Sequence, residues 1–232
     1  MKNKVKNNSK NIFNRYITRY LKGNDSEDTI DMFCKLNFKF FYDLARKNKL
    51  KERQISSLIG FKDEYFVALI INQIIKENHL DNKYYCKKVT ANEKSGLLSR
   101  IIKYEGVDVF LRVGGDAVVF KKKDNKPLMI VECKEYIDMI RMKELIGESE
   151  IIKADIFTTT NLLKDIKFCV FSEVLELTNG WKKLFYDKNF KHGIDQTFII
   201  RDGKRKNKEN KPMRKNLEKF KEYILRFLTS SP

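Results

Sequence analysis

The residues best suited to chemistry in this chain of 232 are Asp116 and the run Glu132-Cys133-Lys134. Asp116 opens one β-type run, Asp116 to Phe120, and Glu132-Cys133-Lys134 closes the next, Leu128 to Lys134. Between them Asp124-Asn125-Lys126-Pro127 supplies turn chemistry. With the turn centred near Asp124, Asp116 lies eight residues before it and Glu132 eight after, so an antiparallel hairpin sets the two carboxylates side by side. Alternation along the strand puts Glu132 and Lys134 on one face and Cys133 on the other. Two carboxylates this close repel unless a cation sits between them. A hard divalent ion such as Mg2+ takes carboxylate oxygens, a carbonyl and waters, which Asp116, Glu132 and the Cys133 carbonyl can provide. Lys134 is then placed to orient or help deprotonate an attacking water and to stabilise charge on a phosphate, the parts of a metal-assisted phosphodiester hydrolysis. A surface hairpin with a cross-strand charge cluster would carry the same letters. The context favours chemistry: Leu128-Met129-Ile130-Val131 suits a buried central strand, and the charged end of such a strand is a usual place for an active site.

The elements around this hairpin follow from periodicity. Residues 1–90 read as a helical region. Ile12, Phe13, Tyr16, Ile17, Tyr20 and Leu21 recur at helical spacing behind a basic arm, Asn24 to Glu27 reads as a turn with a cap, and Met32, Phe33, Leu36, Phe40, Phe41 and Leu44 form an apolar stripe. Lys51 to Ile59 reads as a short helix ended by Gly60, with Asp63 capping a longer one through Phe66, Leu69, Ile70 and Ile74. That pair resembles a helix-turn-helix with Arg53, Gln54, Ser56 and Ser57 as its polar positions. Residues 91–232 form the second region. Glu93 to Tyr104 reads as a helix broken by Gly106, followed by strands over Val107 to Val113, Asp116 to Phe120 and Leu128 to Lys134. Glu135 to Ile152 returns to helical spacing; Phe168 to Leu175 and Gln196 to Arg201 read as strands, and Lys215 to Phe227 as a terminal helix. The class is α/β or α+β behind a helical N-terminal region.

Composition narrows the chemistry. There are 48 Lys and Arg against 31 Asp and Glu, a formal +17, which favours a polyanionic partner and nucleic acid above all. The first 22 residues hold seven bases and no acid, and residues 201–215 hold eight bases against two acids. Within the second cluster Lys204, Arg205, Lys206, Lys208 and Arg214 suit phosphate contact, and Arg205 can read guanine or a narrow minor groove. The two histidines, His79 and His192, disfavour a zinc hydrolase or a histidine-based nuclease, and Cys34, Cys86, Cys133 and Cys169 lack metal or redox spacing. Gly114-Gly115 belongs to neither a Walker nor a dinucleotide fingerprint, so no nucleotide cofactor is expected. No apolar run approaches a membrane span and the first residues lack an apolar signal core, so a soluble, cytoplasmic protein with no membrane partner is expected.

Asp116, the gap of fifteen residues and Glu132-Cys133-Lys134 resemble the PD-(D/E)XK nuclease superfamily, particularly its type II restriction endonucleases. The resemblance covers roughly residues 93–177, and Gly115 stands where the family name has proline. It implies a core of a central mixed sheet flanked by helices, with Asp116 and Glu132 holding Mg2+, the Cys133 carbonyl completing the ligands and Lys134 serving the nucleophilic water. The family's acidic residue on a preceding helix would match Glu93 or Glu105. The resemblance further implies a homodimer that cuts double-stranded DNA at a specific sequence. A non-catalytic helix-turn-helix DNA-binding protein, or a junction-resolving or repair nuclease, are the alternatives.

Overall fold

The computed structural model describes residues 10–19, 28–90, 98, 100–104, 106–111, 113–153, 163–187, 193–204 and 212–230. The N-terminal part is helical: α1 (10–19), α2 (Thr29–Lys35), α3 (Phe38–Lys47) and α4 (Glu52–Glu77). Asp28 caps α2, its side chain accepting from the Ile30 and Asp31 amides, and Asn37 caps α3 through the Phe40 amide. The turn read at Asn24 to Glu27 lies outside the described residues.

α4 runs unbroken through Gly60, which corrects the expected break and removes the helix-turn-helix. A mid-helix glycine costs about 1 kcal/mol, whereas Leu58, Ile59, Phe66, Val67, Ile70, Ile71 and Ile74 of the same helix are all buried, so packing prevails. Asp63 is accordingly no cap but a buried helical residue.

Five strands make a mixed sheet: β1 (Tyr84–Val89), β4 (Gly115–Lys121), β5 (Lys126–Ile137), β6 (Lys167–Leu175) and β7 (Gln196–Ile199), adjacent in that order. The first two pairings are antiparallel and the last two parallel. β2 (Arg100–Tyr104) and β3 (Val107–Leu111) form a separate antiparallel pair. The sequence reading placed a helix over Glu93 to Tyr104; its end is β2, because the apolar pair Ile101-Ile102 serves either period and the facing Val107 to Leu111 offers a strand partner across the Gly106 turn. Likewise Glu135 to Ile137, read as helical, continue β5, since Tyr136 and Ile137 pair with Val174 and Leu175. α5 (Met139–Lys153) begins only after Asp138, whose side chain accepts from the Arg141 amide. α6 (Asn179–Tyr186) and β1 were not foreseen, and α7 (Arg214–Ser230) closes the described chain.

The helical region covers one face of the sheet and α5 and α6 the other. Ala117, Val119, Met129, Val131, Phe171 and Phe198 pack with α1 to α4 and α7, while Val118, Phe120, Ile130, Phe168 and Val170 pack beneath Met142, Leu145 and Phe185. Met129, Ile130 and Val131 of β5 are wholly buried, as a central strand covered on both faces requires. No described helix is long and apolar enough to cross a membrane.

Charges also bind α4 to the sheet. Lys62 donates to Glu173 of β6 and lies 3.1 Å from Asp63, and Arg201, just beyond β7, donates to the other Glu173 oxygen at 2.8 Å. All four side chains are buried, and the Lys62 ammonium stands 4.3 Å from the centre of the Phe33 ring. Burial opposes the charge on Glu173, yet Lys62 and Arg201 together hold its carboxyl below the usual range. Asp63 goes the other way, raised well above that range by burial first.

Candidate active site

The β4–β5 hairpin turns through Asn125, whose φ of 54° lies in the left-handed region, and the Asp124 side chain accepts from the Lys126 amide at 3.1 Å. From there Val118 faces Ile130 and Ala117 faces Val131, so the next positions outward are Asp116 and Glu132. One extra residue on β5, Leu128, is absorbed as a bulge between the Val119 and Phe120 pairs. The Cys133 amide donates to Asp116 Oδ2 at 3.0 Å, and Lys134 Nζ donates to Glu132 Oε1 at 2.8 Å. The hairpin thus brings Asp116, Glu132, Cys133 and Lys134 together at the start of β4.

Burial first, and the nearby charge of Asp116 second, push the Glu132 carboxyl up to about 7 in spite of Lys134. Burial works against the Lys134 ammonium, but Glu132 more than offsets it and keeps the group above the usual lysine range. In this state Lys134 is a charged donor. Burial raises the Cys133 thiol well above its usual value, so the side chain offers no thiolate and any contribution from this residue is through its backbone.

Three residues that the sequence reading did not select stand at the same place. Lys88 of β1 lies 3.0 Å from Asp116 Oδ1 and also donates to Glu64 of α4. Glu64 therefore faces the site from a helix that precedes the strands. Glu93 and Glu105, the residues expected in that role, lie outside the described residues. Glu148 of α5 lines the cleft, and its charge acts on both Glu132 and Lys134. The cleft, about 400 Å³, is lined by Lys88, Gly115, Asp116, Glu132, Glu148 and Ile151 among others. A larger one of about 580 Å³ between α6, β7 and α7 holds none of these carboxylates. Asp108, another acid on a strand before Asp116, belongs to β3, where its position is paired with Lys103.

Gly115, which stands where the PD-(D/E)XK name has proline, is buried, and a Cβ there would stand 2.6 Å from Val118 Cγ2 and 3.0 Å from Ile130 Cγ2. Side chains of both β4 and β5 thus close over this position, and a larger residue must displace them. Of the basic cluster, Lys204 is exposed, Arg205, Lys206 and Lys208 lie outside the described residues, and Arg214 is engaged by Asp31 and by Glu218 at 2.8 Å. Arg201, counted with that cluster, is a core residue.

The donor set suits a hard divalent cation. Asp116 and Glu132 are oxygen donors side by side, the Lys134 ammonium on Glu132 leaves its carboxyl raised to about 7, and no thiolate or imidazole competes among the neighbours named above. Among the described residues no group of three His, Cys, Asp or Glu side chains is gathered for a metal.

No family model and no curated protein matches the chain. Solved structures do match, among them two of a restriction endonuclease. The Bse634I restriction endonuclease aligns at 13% identity with a TM-score of 0.50, over 85% of this chain and 86% of that one. The Type IIF restriction endonuclease Bse634I with cognate DNA aligns at 13% identity with a TM-score of 0.52, over 84% and 86%. The mixed sheet, the helices on both its faces and this similarity over most of both chains agree: the protein has a restriction-endonuclease-like fold.

Proposed function

We propose that the protein is a Mg2+-dependent endonuclease that hydrolyses double-stranded DNA at a specific sequence, as a type II restriction enzyme does. The observation that carries this reading is the convergence of Asp116, Glu132 and Lys134 at one end of the β4–β5 hairpin on a restriction-endonuclease-like fold. The formal charge of +17 suits a polyanionic substrate, and a similar structure was solved with cognate DNA.

Asp116 and Glu132, with the Cys133 carbonyl, would hold the ion. When bound, Mg2+ supplies polarisation of the phosphate and a more acidic water. Glu132, whose carboxyl is raised by burial and then by Asp116, would hold the ion in its ionised form. Lys134, kept protonated by Glu132, donates to the water or to a phosphate oxygen and stabilises charge as it develops there. Glu64 is the acidic residue that α4 contributes. Lys204 and the neighbouring bases Arg205, Lys206 and Lys208 grip the backbone. One site per chain cuts one strand, so a homodimer on a two-fold target accounts for a double-strand cut.

The test is incubation of wild type and Lys134→Ala with long duplex DNA, in Mg2+ or in EDTA, followed by sequencing of the ends. Fragments with common ends from wild type in Mg2+ alone, with cleavage by the variant lower by about 10²- to 10⁴-fold and DNA binding retained, are expected. DNA that is bound but intact in every condition would refute the nuclease reading. Cutting only at branches or lesions would replace restriction by junction resolution or repair.

A further inference from the structure

Lys88 has no part in the chemistry outlined above, yet it makes the most direct contacts with the site's acids. It stands on β1 at an irregularity of the pairing: Lys87 faces Val118 and Val89 faces Gly115, so Asp116 and Ala117 together oppose Lys88. A bulge of this kind re-aims side chains, and here it sets Asp116 beside the lysine. The Lys88 ammonium lies 3.0 Å from Asp116 Oδ1 and donates as well to Glu64 Oε2, so it spans the carboxylates delivered by β4 and α4. The other Asp116 oxygen accepts from the Cys133 amide, so both oxygens of this acid are engaged. The lysine side chain is 45% exposed, against 25% for Glu64 and 14% for Asp116. The cation is therefore the most exposed member of the trio.

On the reading of Asp116 as a metal ligand, we propose that Lys88 is a built-in competitor for the divalent cation: its ammonium occupies the electrostatic position between Glu64 and Asp116 and must be displaced before the ion binds. Like charges exclude one another at this range. The contact has two effects. It holds Glu64 and Asp116 facing one another, and it weakens metal loading by the free energy of the two ion pairs that must break. Pairs this exposed are individually modest, so their joint effect is roughly tenfold in metal affinity.

The test is isothermal titration of Mn2+ into the DNA-free protein, comparing wild type, Lys88→Met and Lys88→Arg. Tightening of roughly tenfold in Lys88→Met, with Lys88→Arg close to wild type because the guanidinium keeps the charge, is expected. A second measurement uses wild type alone: reductive methylation of the Lys88 amine, followed by peptide mass spectrometry, rises on saturation with Ca2+. Metal affinity that Lys88→Met leaves unchanged or weakens, or methylation indifferent to Ca2+ while Mn2+ still binds, would overturn this inference and leave the nuclease reading intact. Failure of all three proteins to bind Mn2+ would overturn both.

Discussion

Replacing Glu132 by glutamine converts a site residue into a stabilising substitution, and the size of the gain follows from its environment. Glutamine keeps an oxygen able to accept from Lys134, which now lies 2.8 Å from Glu132 Oε1, so the change isolates the charge. Moving the carboxyl from its ordinary 4.5 to about 7, at 1.36 kcal/mol per pKa unit, corresponds to about 3 kcal/mol. The sign is fixed by linkage. A carboxyl raised on folding binds its proton more tightly in the native state, so its stabilising contribution is complete below 4.5 and is lost as pH rises through about 7. Wild type should lose stability across that window and Glu132→Gln should not. Urea unfolding in EDTA at about pH 8 should show the variant more stable by about 3 kcal/mol, the difference shrinking towards zero near pH 4. A difference that is absent, or of equal size at both pH values, would refute the assignment of the cost to a buried charge. Saturating Mn2+ should narrow the gap at high pH by stabilising wild type selectively.

The other predictions address the metal, the core and the glycines. The Mn2+ affinity of wild type, followed by calorimetry, should rise with pH up to about 7 as Glu132 ionises and level off above it. Glu173→Gln leaves Lys62 and Arg201 without their shared carboxylate and should destabilise by about 3–5 kcal/mol in chemical unfolding; a cost below 1 kcal/mol would mean the cluster is already neutralised by other means. Gly115→Ala, and still more Gly115→Pro, forces β4 against Val118 and Ile130 and should cost about 1–3 kcal/mol, so either change lowers the melting temperature. Gly193→Ala sets a methyl 2.7 Å from the Ser149 carbonyl and should cost a similar amount in thermal melts, since backbone cannot yield there.

The hairpin was legible because its register depends on a short local loop: once Asp124-Asn125 marks the turn, the alternation of apolar residues leaves one pairing that buries Ala117, Val119, Met129 and Val131 together. Glu64 and Lys88 were not legible. They reach the site through the seating of a helix on a sheet and a bulge in β4 opposite the edge strand β1, and neither leaves a mark in local periodicity. Gly60 misled for a related reason, since its local signal for a break is outweighed by the burial of its helix on nearly all sides. The acids of α5 carried an even pattern along the sequence, and only the packing of Met142 and Leu145 beneath the sheet decides that Glu148 turns to the cleft.

The buried Lys62–Glu173–Arg201 contact bears on how this protein can move. A helix on an apolar sheet face can slide by one turn, about 5.4 Å, at the cost of repacking alone. Here such a step would bring Leu58 or Phe66 to the place of Lys62 and strand Glu173 with a single cation in the core. α4 therefore has one seat on the sheet, and Glu64 travels with β5 and β6 as part of one rigid block. On the proposed reading, the acids would therefore keep their spacing when substrate binds.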